Sequence, residues 1–218
     1  AYNAEDVSGT VKAFTDYFGT FGYAFAQVEA TPDIDRVNKQ VSFVLRAQPA
    51  RRVYVRRINV EGNNRTRDEV VRREFRQFES AWYDSDRIRL SRDRVDRLGF
   101  FTEVGIDTQP VPGTPDQVDL TITVAEKPTG NISLGAGYSQ AEQISLIAGI
   151  RQENVFGSGN YLGIDVNTSR FNRQIVLSTV DPYFTPDGIS RAFDAYYKTT
   201  TPYTQQGGDY RLITPGVS

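Results

Sequence analysis

A period of two in apolar residues dominates the chain from about residue 130 onward. Over residues 131–139 every second position is apolar, and the positions between are small or polar. The same alternation recurs over residues 144–151 and 161–168, and less cleanly over 174–180 and 189–197. Because successive side chains of a β-strand point to opposite faces, the pattern predicts antiparallel strands of about 9–11 residues with one apolar face.

Strands of that length are compatible with two architectures. In an outer-membrane barrel the apolar face contacts lipid and the small or polar face lines the interior. In a soluble β-sandwich the apolar face packs against a second sheet. Strand length and the Tyr and Phe residues near the strand ends favour the barrel, because aromatic side chains concentrate at membrane–water boundaries.

Residues 51–129 follow a different order, which predicts strand, helix, helix, strand and strand. The first strand is expected over residues 53–60, where apolar residues alternate before a Gly-Asn-Asn turn. The second opens at 104–106. A Pro-Gly turn at 112–116 then leads into strict alternation over 118–124.

Two helices are predicted between the first and second of these strands. Thr66 and Glu69 have the spacing of a capping box, and three- and four-residue spacing extends the first helix to Phe78. The second begins near residues 84–85 and ends at Gly99, which serves as a left-handed cap. The side chains predicted to be buried between helices and sheet are Phe75, Leu98, Phe100 and Val118.

Part of the same order appears once before. Phe21-Gly22-Tyr23 corresponds to Leu98-Gly99-Phe100, and the two glycines are 77 residues apart. A helical pattern precedes each glycine and a strand pair follows it, at about 24–31 and 40–47 in the earlier copy. Three regions follow: the end of one repeat at 1–50, a complete repeat at 51–129, and the alternating strands at 130–218.

Composition changes near residue 130 as sharply as the hydrophobic pattern does. Charged side chains make up 29 of the 80 residues of 51–130 but 13 of the 88 residues of 131–218. The later region also holds 10 of the 18 glycines and 7 of the 12 tyrosines. A shift of this size marks a change of surroundings or of architecture and supports a boundary there.

Missing residue types exclude several kinds of chemistry. The 218 residues contain no Cys and no His, which excludes disulfides, Cys or His metal ligands, and Ser-His-Asp or Cys-His catalysis. An enzyme would have to depend on carboxylates, Lys, Tyr or Arg, and a carboxylate-dependent enzyme is the disfavoured alternative because no acid pair lies in an evident apolar pocket pattern. We predict that the protein is not an enzyme and has no catalytic residues, metal or cofactor. The arginines of residues 51–130 are interleaved with nearly as many acids, so no nucleic-acid partner is expected.

The ends of the sequence predict a segment of a longer protein. The sequence does not begin with Met, and its first 23 residues lack the basic start and apolar core of a signal peptide. No run of about 18 apolar residues predicts a transmembrane helix.

Five stretches resemble the Omp85 family. Residues 72–82 (RREFRQFESAW), 98–101 (LGFF) and 111–119 (VPGTPDQVD) are similar to its POTRA domains, and residues 152–159 (QENVFGSG) and 181–188 (DPYFTPDG) to its barrel strands. The matches span nearly the whole chain in the family's order. The resemblance implies α+β POTRA repeats of β-α-α-β-β order, like the fourth (incomplete) and the fifth, followed by the first five or so antiparallel strands of a truncated transmembrane β-barrel.

Within the family, the chain is most similar to the members that assemble outer-membrane proteins. This implies a Gram-negative outer membrane location with the POTRA domains in the periplasm. Implied partners are nascent outer-membrane proteins, periplasmic assembly lipoproteins and the lipid bilayer. The implied activity is to bind nascent chains by β-augmentation and to catalyse their folding and insertion. A two-partner-secretion type transporter with POTRA domains is the alternative, and the number of repeats in the parent chain would separate the two.

The resemblance also implies two sets of binding residues. Arg72, Arg76, Glu79 and Trp82 match the stretch that docks the essential periplasmic lipoprotein, and the spacing of the first three predicts one helix face. The first barrel strand corresponds to the lateral gate that pairs with clients, and its small residues predict a weakly specified register. That strand comprises Asn131, Ile132, Ser133, Leu134, Gly135, Ala136, Gly137, Tyr138 and Ser139.

Overall fold

The computed structural model describes residues 3–38, 40–140, 143–201 and 211–218. The chain forms two compact units, which are described separately. The first unit consists of Ala1–Asn63 and Val71–Glu126, and the second of Asn64–Val70 and Lys127–Ser218.

The first unit begins with helix α1 (Ala4–Thr20), followed by an antiparallel pair of strands, β1 (Gln27–Asp35) and β2 (Gln40–Gln48). The side chain of Asn3 caps α1 by accepting a hydrogen bond from the Glu5 amide at 3.0 Å. This is the helix and strand pair predicted for residues 1–50, although β1 starts and ends a few residues later than expected.

The complete repeat contributes a three-stranded sheet. Its strands are β3 (Tyr54–Glu61), β4 (Phe101–Pro110) and β5 (Gln117–Glu126). Their order is β3-β5-β4, with β5 parallel to β3 and antiparallel to β4. A right-handed crossover is the usual way to join parallel strands, and the helical segment between β3 and β4 gives the chain the length this requires.

One face of this sheet forms a hydrophobic core. On β5, Val118, Leu120 and Ile122 have no exposed surface. Helix α3 (Ser85–Arg97) buries Ile88 and Val95 in the same unit. The Asp84 carboxylate caps the helix by accepting hydrogen bonds from the Asp86 and Arg87 amides at 3.0 and 3.2 Å. Alternation on the strand and four- and three-residue spacing on the helix therefore both report burial here.

The first predicted helix is much shorter than expected. Helix α2 spans Asp68–Arg72, so the prediction that it extends to Phe78 is wrong. Phe75 is buried, but Phe78 is 60% exposed and Leu98 is only half-buried. The chain leaves the helix after Arg72 because the following side chains find better partners in a loop, as described below.

The second unit is a six-stranded antiparallel sheet in which each strand pairs with its neighbours along the chain. The strands are β6 (Gly130–Ser139), β7 (Gln143–Gln152), β8 (Tyr161–Thr168), β9 (Asn172–Asp181), β10 (Arg191–Thr200) and β11 (Leu212–Val217). The sequence pattern predicted the first five; β11 was not predicted, and β10 starts two residues later than expected.

The registers align the apolar positions of all six strands on one face. One row across the sheet contains, in strand order, Ile132, Ile150, Ile164, Leu177, Ala195 and Val217. A neighbouring row on the opposite face contains Asn131, Arg151, Gly163, Ser178 and Asp194. The apolar side chains are largely exposed, with Leu134 at 83%, and no hydrophobic side chain of the described residues from 127 to 218 is buried. A β-sandwich would have covered this face, so the structure favours a sheet that contacts lipid.

The turn between β7 and β8 packs on residues 64–70, which explains why that segment belongs to the second unit. The Asn154 side-chain amide donates to the Thr66 hydroxyl at 2.8 Å, and the Arg67 backbone amide donates to the Gly157 carbonyl at 2.9 Å. Gly157 has a φ of +74°, and a Cβ there would lie 1.9 Å from the Arg65 carbonyl oxygen. Only glycine fits this close backbone approach.

Candidate functional site

The predicted client-pairing strand lies at the edge of its sheet. β6 pairs with β7 over its full length, from Gly130 opposite Gln152 to Ser139 opposite Gln143. Among the residues that the structure describes, its other edge has no strand partner. An unpaired edge presents a row of amides and carbonyls that can bind another extended chain.

Small side chains on the polar face of β6 make few contacts with β7. A Cβ added at Gly135 would lie 3.9 Å from the Ile147 Cβ, an ordinary contact distance, and the backbone at Gly135 is not left-handed. The Ser133 hydroxyl donates to the Gly149 carbonyl at 3.4 Å, which is near the limit for a hydrogen bond. The pairing of β6 therefore depends mainly on its backbone.

The two edges of the β3-β5-β4 sheet differ in availability. Residues 80–83 run along β3: the Val55 amide donates to the Ala81 carbonyl at 2.9 Å, and the Ser80 amide donates to the Val55 carbonyl at 2.7 Å. The Glu79 carboxylate accepts a further β3 amide, that of Ile58, at 2.8 Å. Within the described residues no such cover is found along β4, so β4 is the edge of this sheet that remains open.

The structure brings together two of the four residues implied to dock the lipoprotein. Arg72 and Glu79 form an ion pair at 3.5 Å, with side chains 42% and 46% exposed. They are not one turn apart on a helix, because α2 ends at Arg72 and Glu79 lies in the loop that follows. The prediction of a common helix face is therefore wrong, although the two side chains do meet.

The Arg76 side chain is partly buried and binds the backbone of its own loop. Its guanidinium donates to the carbonyls of Arg73 and Phe75 at 3.1 and 3.0 Å, and its amide donates to the Ser91 hydroxyl at 2.8 Å. Carbonyls left open beyond a helix end are satisfied in this way by a nearby cation.

Trp82 lies in an aromatic stack that sequence reasoning missed. Its ring stacks on Tyr54 with centroids 3.8 Å apart and an interplanar angle of 21°. The Arg52 guanidinium forms a cation–π contact with Trp82, 4.4 Å from the ring centroid. Trp82 remains 42% exposed. The signal available in the sequence was weak: an Arg and a Tyr at the start of a strand, 28 to 30 residues from the Trp.

Gln77 is a second residue that the sequence did not single out, and it holds the loop that presents Phe78 and Trp82. Its side chain is 1% exposed. The amide group donates to the carbonyls of Phe78 and Trp82 at 3.2 and 2.9 Å, and its oxygen accepts from the Asp84 amide at 3.1 Å. A buried, fully used amide of this kind fixes the loop conformation.

One Arg–Asp pair of the first unit has shifted pKa values on both partners. Arg56 on β3 and Asp119 on β5 form a two-point contact, with the Arg56 Nε 2.9 Å from Asp119 Oδ1. Hydrogen bonding to Arg56 lowers the pKa of Asp119, and the same contact raises the pKa of Arg56. The pair therefore remains charged throughout the neutral range.

Among the described residues, no group of three or more acidic side chains is arranged to hold a metal ion. No helix in this part of the chain is long and apolar enough to cross a membrane.

Comparisons with known proteins identify the parts of the chain. Residues 53–127 match the POTRA family model, described as a surface antigen variable number repeat, and residues 154–217 match the Omp85 superfamily domain. The outer membrane protein assembly factor BamA of Neisseria meningitidis is 40% identical over 201 residues, which are 92% of this chain and 25% of that protein. The chain spans 25% to 30% of the length of the first curated relatives it matches.

Solved structures give the same result. The crystal structure of BamA from Haemophilus ducreyi lacking POTRA domains 1–3 has a TM-score of 0.86 and 32% identity, covering 100% of this chain and 41% of that chain. CdiB from Escherichia coli has a TM-score of 0.53 and 16% identity, covering 96% of this chain and 39% of its own, which shows a likeness of fold alone. With a POTRA domain and antiparallel strands that match the Omp85 superfamily domain, the chain belongs to the Omp85 family.

Proposed function

We propose that the chain belongs to a central component of the machinery that assembles outer-membrane β-barrel proteins. Its relatives are named as outer membrane protein assembly factors, and the sheet of the second unit has the exposed apolar face that a lipid-facing barrel wall requires. The protein is accordingly placed in the Gram-negative outer membrane, with its POTRA domains in the periplasm. The activity makes or breaks no covalent bond, so the protein is not an enzyme in that sense.

The open edge of β6 carries this proposal. A nascent barrel protein brings unpaired amides and carbonyls that cannot remain unsatisfied in lipid. Among the described residues the outer edge of β6 has no strand partner, and its polar face carries Ser133, Gly135 and Gly137, so few side chains would have to part when this edge exchanges one strand for another. β4 provides a second open edge in the POTRA domain. Binding by β-augmentation at these edges, followed by folding and insertion, requires no nucleotide or other cofactor.

Proline at Gly135 tests the pairing. Gly135→Pro removes an amide donor and fixes φ, so client insertion in the complete protein should be blocked. Gly135→Ala retains the amide and fits the space next to Ile147, so it should be close to wild type. Ala136→Pro is the companion variant. Neighbouring amides of a strand point to opposite edges, so one of the two prolines removes a donor from the open edge and the other removes a donor from the edge paired with β7.

Folding of a model barrel client in reconstituted vesicles is the measurement, at equal outer-membrane levels of each protein. Equal client-folding rates for wild type, Gly135→Pro and Ala136→Pro would end the pairing proposal, because one of the two prolines removes a donor from the open edge. A graded loss from Ala to larger residues, with no special effect of proline, would instead assign Gly135 a packing role.

We propose that the exposed surface formed by Arg72, Phe78, Glu79 and Trp82 docks a periplasmic, BamD-like assembly lipoprotein. Three observations support it: an exposed ion pair, an exposed Phe next to it in the chain, and a half-exposed Trp held by Gln77. Exposed aromatic and Arg side chains are typical of binding hot spots. Arg76 is not included in this proposed surface, because its guanidinium donates to two backbone carbonyls.

Charge reversal tests this docking surface. Glu79→Lys should weaken co-purification of the lipoprotein, whereas Glu79→Gln keeps an acceptor for the Ile58 amide and controls for local folding. In the double variant Arg72→Glu, Glu79→Lys the internal pair is restored with reversed polarity. Continued loss of the lipoprotein in the folded double variant supports docking by charge pattern; full recovery would show that the pair is only structural.

The alternative, a two-partner-secretion type transporter, is not favoured. The CdiB structures are much more distant than the assembly-factor structure, at 14% to 16% identity against 32%.

A further inference from the structure

A basic cavity of about 310 Å³ lies on the apolar face of the six-stranded sheet, at the end opposite to the one where the chain enters β6. Its basic residues are Arg170 in the β8–β9 turn, Arg173 near the start of β9, and Arg211 just before β11. Its other lining residues include Ile175 and Tyr197.

The strand registers place the cavity on the lipid-facing side. Arg173 pairs with Thr199, and Ile175, two residues further along the same strand, pairs with Tyr197. Ile175 also pairs with Val166, and all of these alternate positions belong to the apolar face. The arginines therefore border the apolar band, and do not line the polar face.

Within the described residues, the positive charge at this end of the face has no carboxylate paired with it. At the opposite end of β9 and β10, Arg191 lies directly across from Asp181. Arg173, by contrast, lies between Thr168 and Thr199. No carboxylate of the described residues forms an ion pair with Arg173 or with Arg211.

We propose that this cavity binds the negatively charged phosphate headgroup of a membrane lipid, with the acyl chains lying along the apolar face below it. One guanidinium group can donate two parallel hydrogen bonds to a phosphate, and it is more weakly hydrated than an ammonium group. Arg170 is held near the site by its contact with the Phe171 ring, 5.3 Å from its guanidinium carbon. Ile175 and Tyr197, 50% and 48% exposed, offer apolar surface to the chains.

The orientation of this face toward lipid rests on the proposed function, in which the sheet is part of a barrel wall. Lipid binding itself does not rest on it. A measurement in detergent micelles, where there is no leaflet and no client, therefore separates failure of the lipid site from failure of the assembly function.

Binding of phosphatidylglycerol to the purified complete protein in neutral detergent tests the proposal, with phosphatidylcholine as the lipid of no net charge. The double variant Arg173→Gln, Arg211→Gln removes the two charges while keeping polar side chains of similar size. Arg191→Gln is the matched control, because it removes one arginine from the same face at the opposite end.

We expect the double variant to bind phosphatidylglycerol about tenfold more weakly, and the control to match wild type, because the loss is of charge-assisted hydrogen bonds at one place. Inorganic phosphate at the same concentration should compete poorly, since it has no acyl chains. Three outcomes would overturn the proposal: unchanged affinity of the double variant, equal affinity for the two lipids, or complete competition by inorganic phosphate, which would indicate a free-anion site.

Discussion

Strands β5 and β6 are neighbours in the chain, have the same length and alternate equally well, yet their apolar faces have opposite surroundings. On β5 the alternate residues Val118, Leu120 and Ile122 are completely buried. On β6 the alternate residues Ile132 and Leu134 are 71% and 83% exposed. The same period of two therefore describes one strand whose apolar face is buried in its own unit and another whose apolar face is left exposed by the described residues.

In sequence, the two strands differ in the residues on the face opposite the apolar one. β5 carries Asp119, Thr121 and Thr123 there, and Asp119 forms an ion pair with Arg56. β6 carries Asn131, Ser133, Gly135 and Gly137. A charged outer face is typical of a domain whose apolar side forms its own core in water, and small uncharged residues are typical of a curved barrel wall.

Truncation of one apolar side chain in each region should give the largest contrast. Phe75→Ala should cost about 3–5 kcal/mol, because it leaves a cavity in the POTRA core, a large share of the roughly 5–15 kcal/mol that stabilises a small domain. Leu134→Ala should cost less, because lipid fills the space that the side chain leaves.

Urea unfolding followed by the fluorescence of Trp82, the only Trp, measures the first variant, and heat resistance of the folded membrane protein measures the second. If Phe75→Ala unfolds like the parent, the assignment of this residue to the core is wrong.

A charge on each face of β8 should separate lipid from interior. Ile164→Arg should destabilise insertion by about 2–4 kcal/mol, since it places a cation at the middle of the apolar face. Asn167→Arg, on the opposite face of the same strand, should have a small effect. Folding yield of the complete protein in lipid vesicles is the measurement. Equal yields for the two variants would contradict a lipid-facing sheet and would indicate that its apolar face packs against protein.

The Arg56–Asp119 pair should give the smallest effect, and one confined to the POTRA domain. The pKa of Asp119 is lower in the folded protein, so the stability from the pair is present above the ordinary Asp value of about 3.9 and is lost as the pH falls through the folded pKa. Asp119→Asn should be slightly less stable than wild type at pH 7, and the difference should be smaller at pH 3, below the ordinary Asp pKa of about 3.9. Urea unfolding at both pH values checks this; a constant difference would show that the substitution acts on packing.

The region between α2 and α3 shows where local patterns stop being informative. Three- and four-residue spacing predicted a helix to Phe78, and no Gly or Pro contradicts it. The helix nevertheless ends at Arg72, because Gln77 makes three hydrogen bonds in a loop and Glu79 accepts the Ile58 amide of β3. These partners are up to 21 residues away, so no window of local sequence contains them.

The candidate sites divide in the same way. The family resemblance located β6 and the stretch from Arg72 to Trp82, and the structure places both on accessible surface. The resemblance could not show that the Arg76 guanidinium donates to backbone carbonyls, or that Arg52 and Tyr54 form a stack with Trp82. The basic cavity on the apolar face also depends on registers that bring β8, β9, β10 and β11 side by side.

The sequence by itself determined the strand periods, the helix α3 with its Asp84 cap, the change of composition near residue 130 and the family. Each of these follows from side-chain direction or from residue type within a short window. Tertiary structure alone decided which apolar faces are covered, where α2 ends, which POTRA edge is open, and which arginines line the basic cavity. The physical reason is that burial, edge pairing and charge balance depend on residues far apart in the chain, and only the fold brings those residues together.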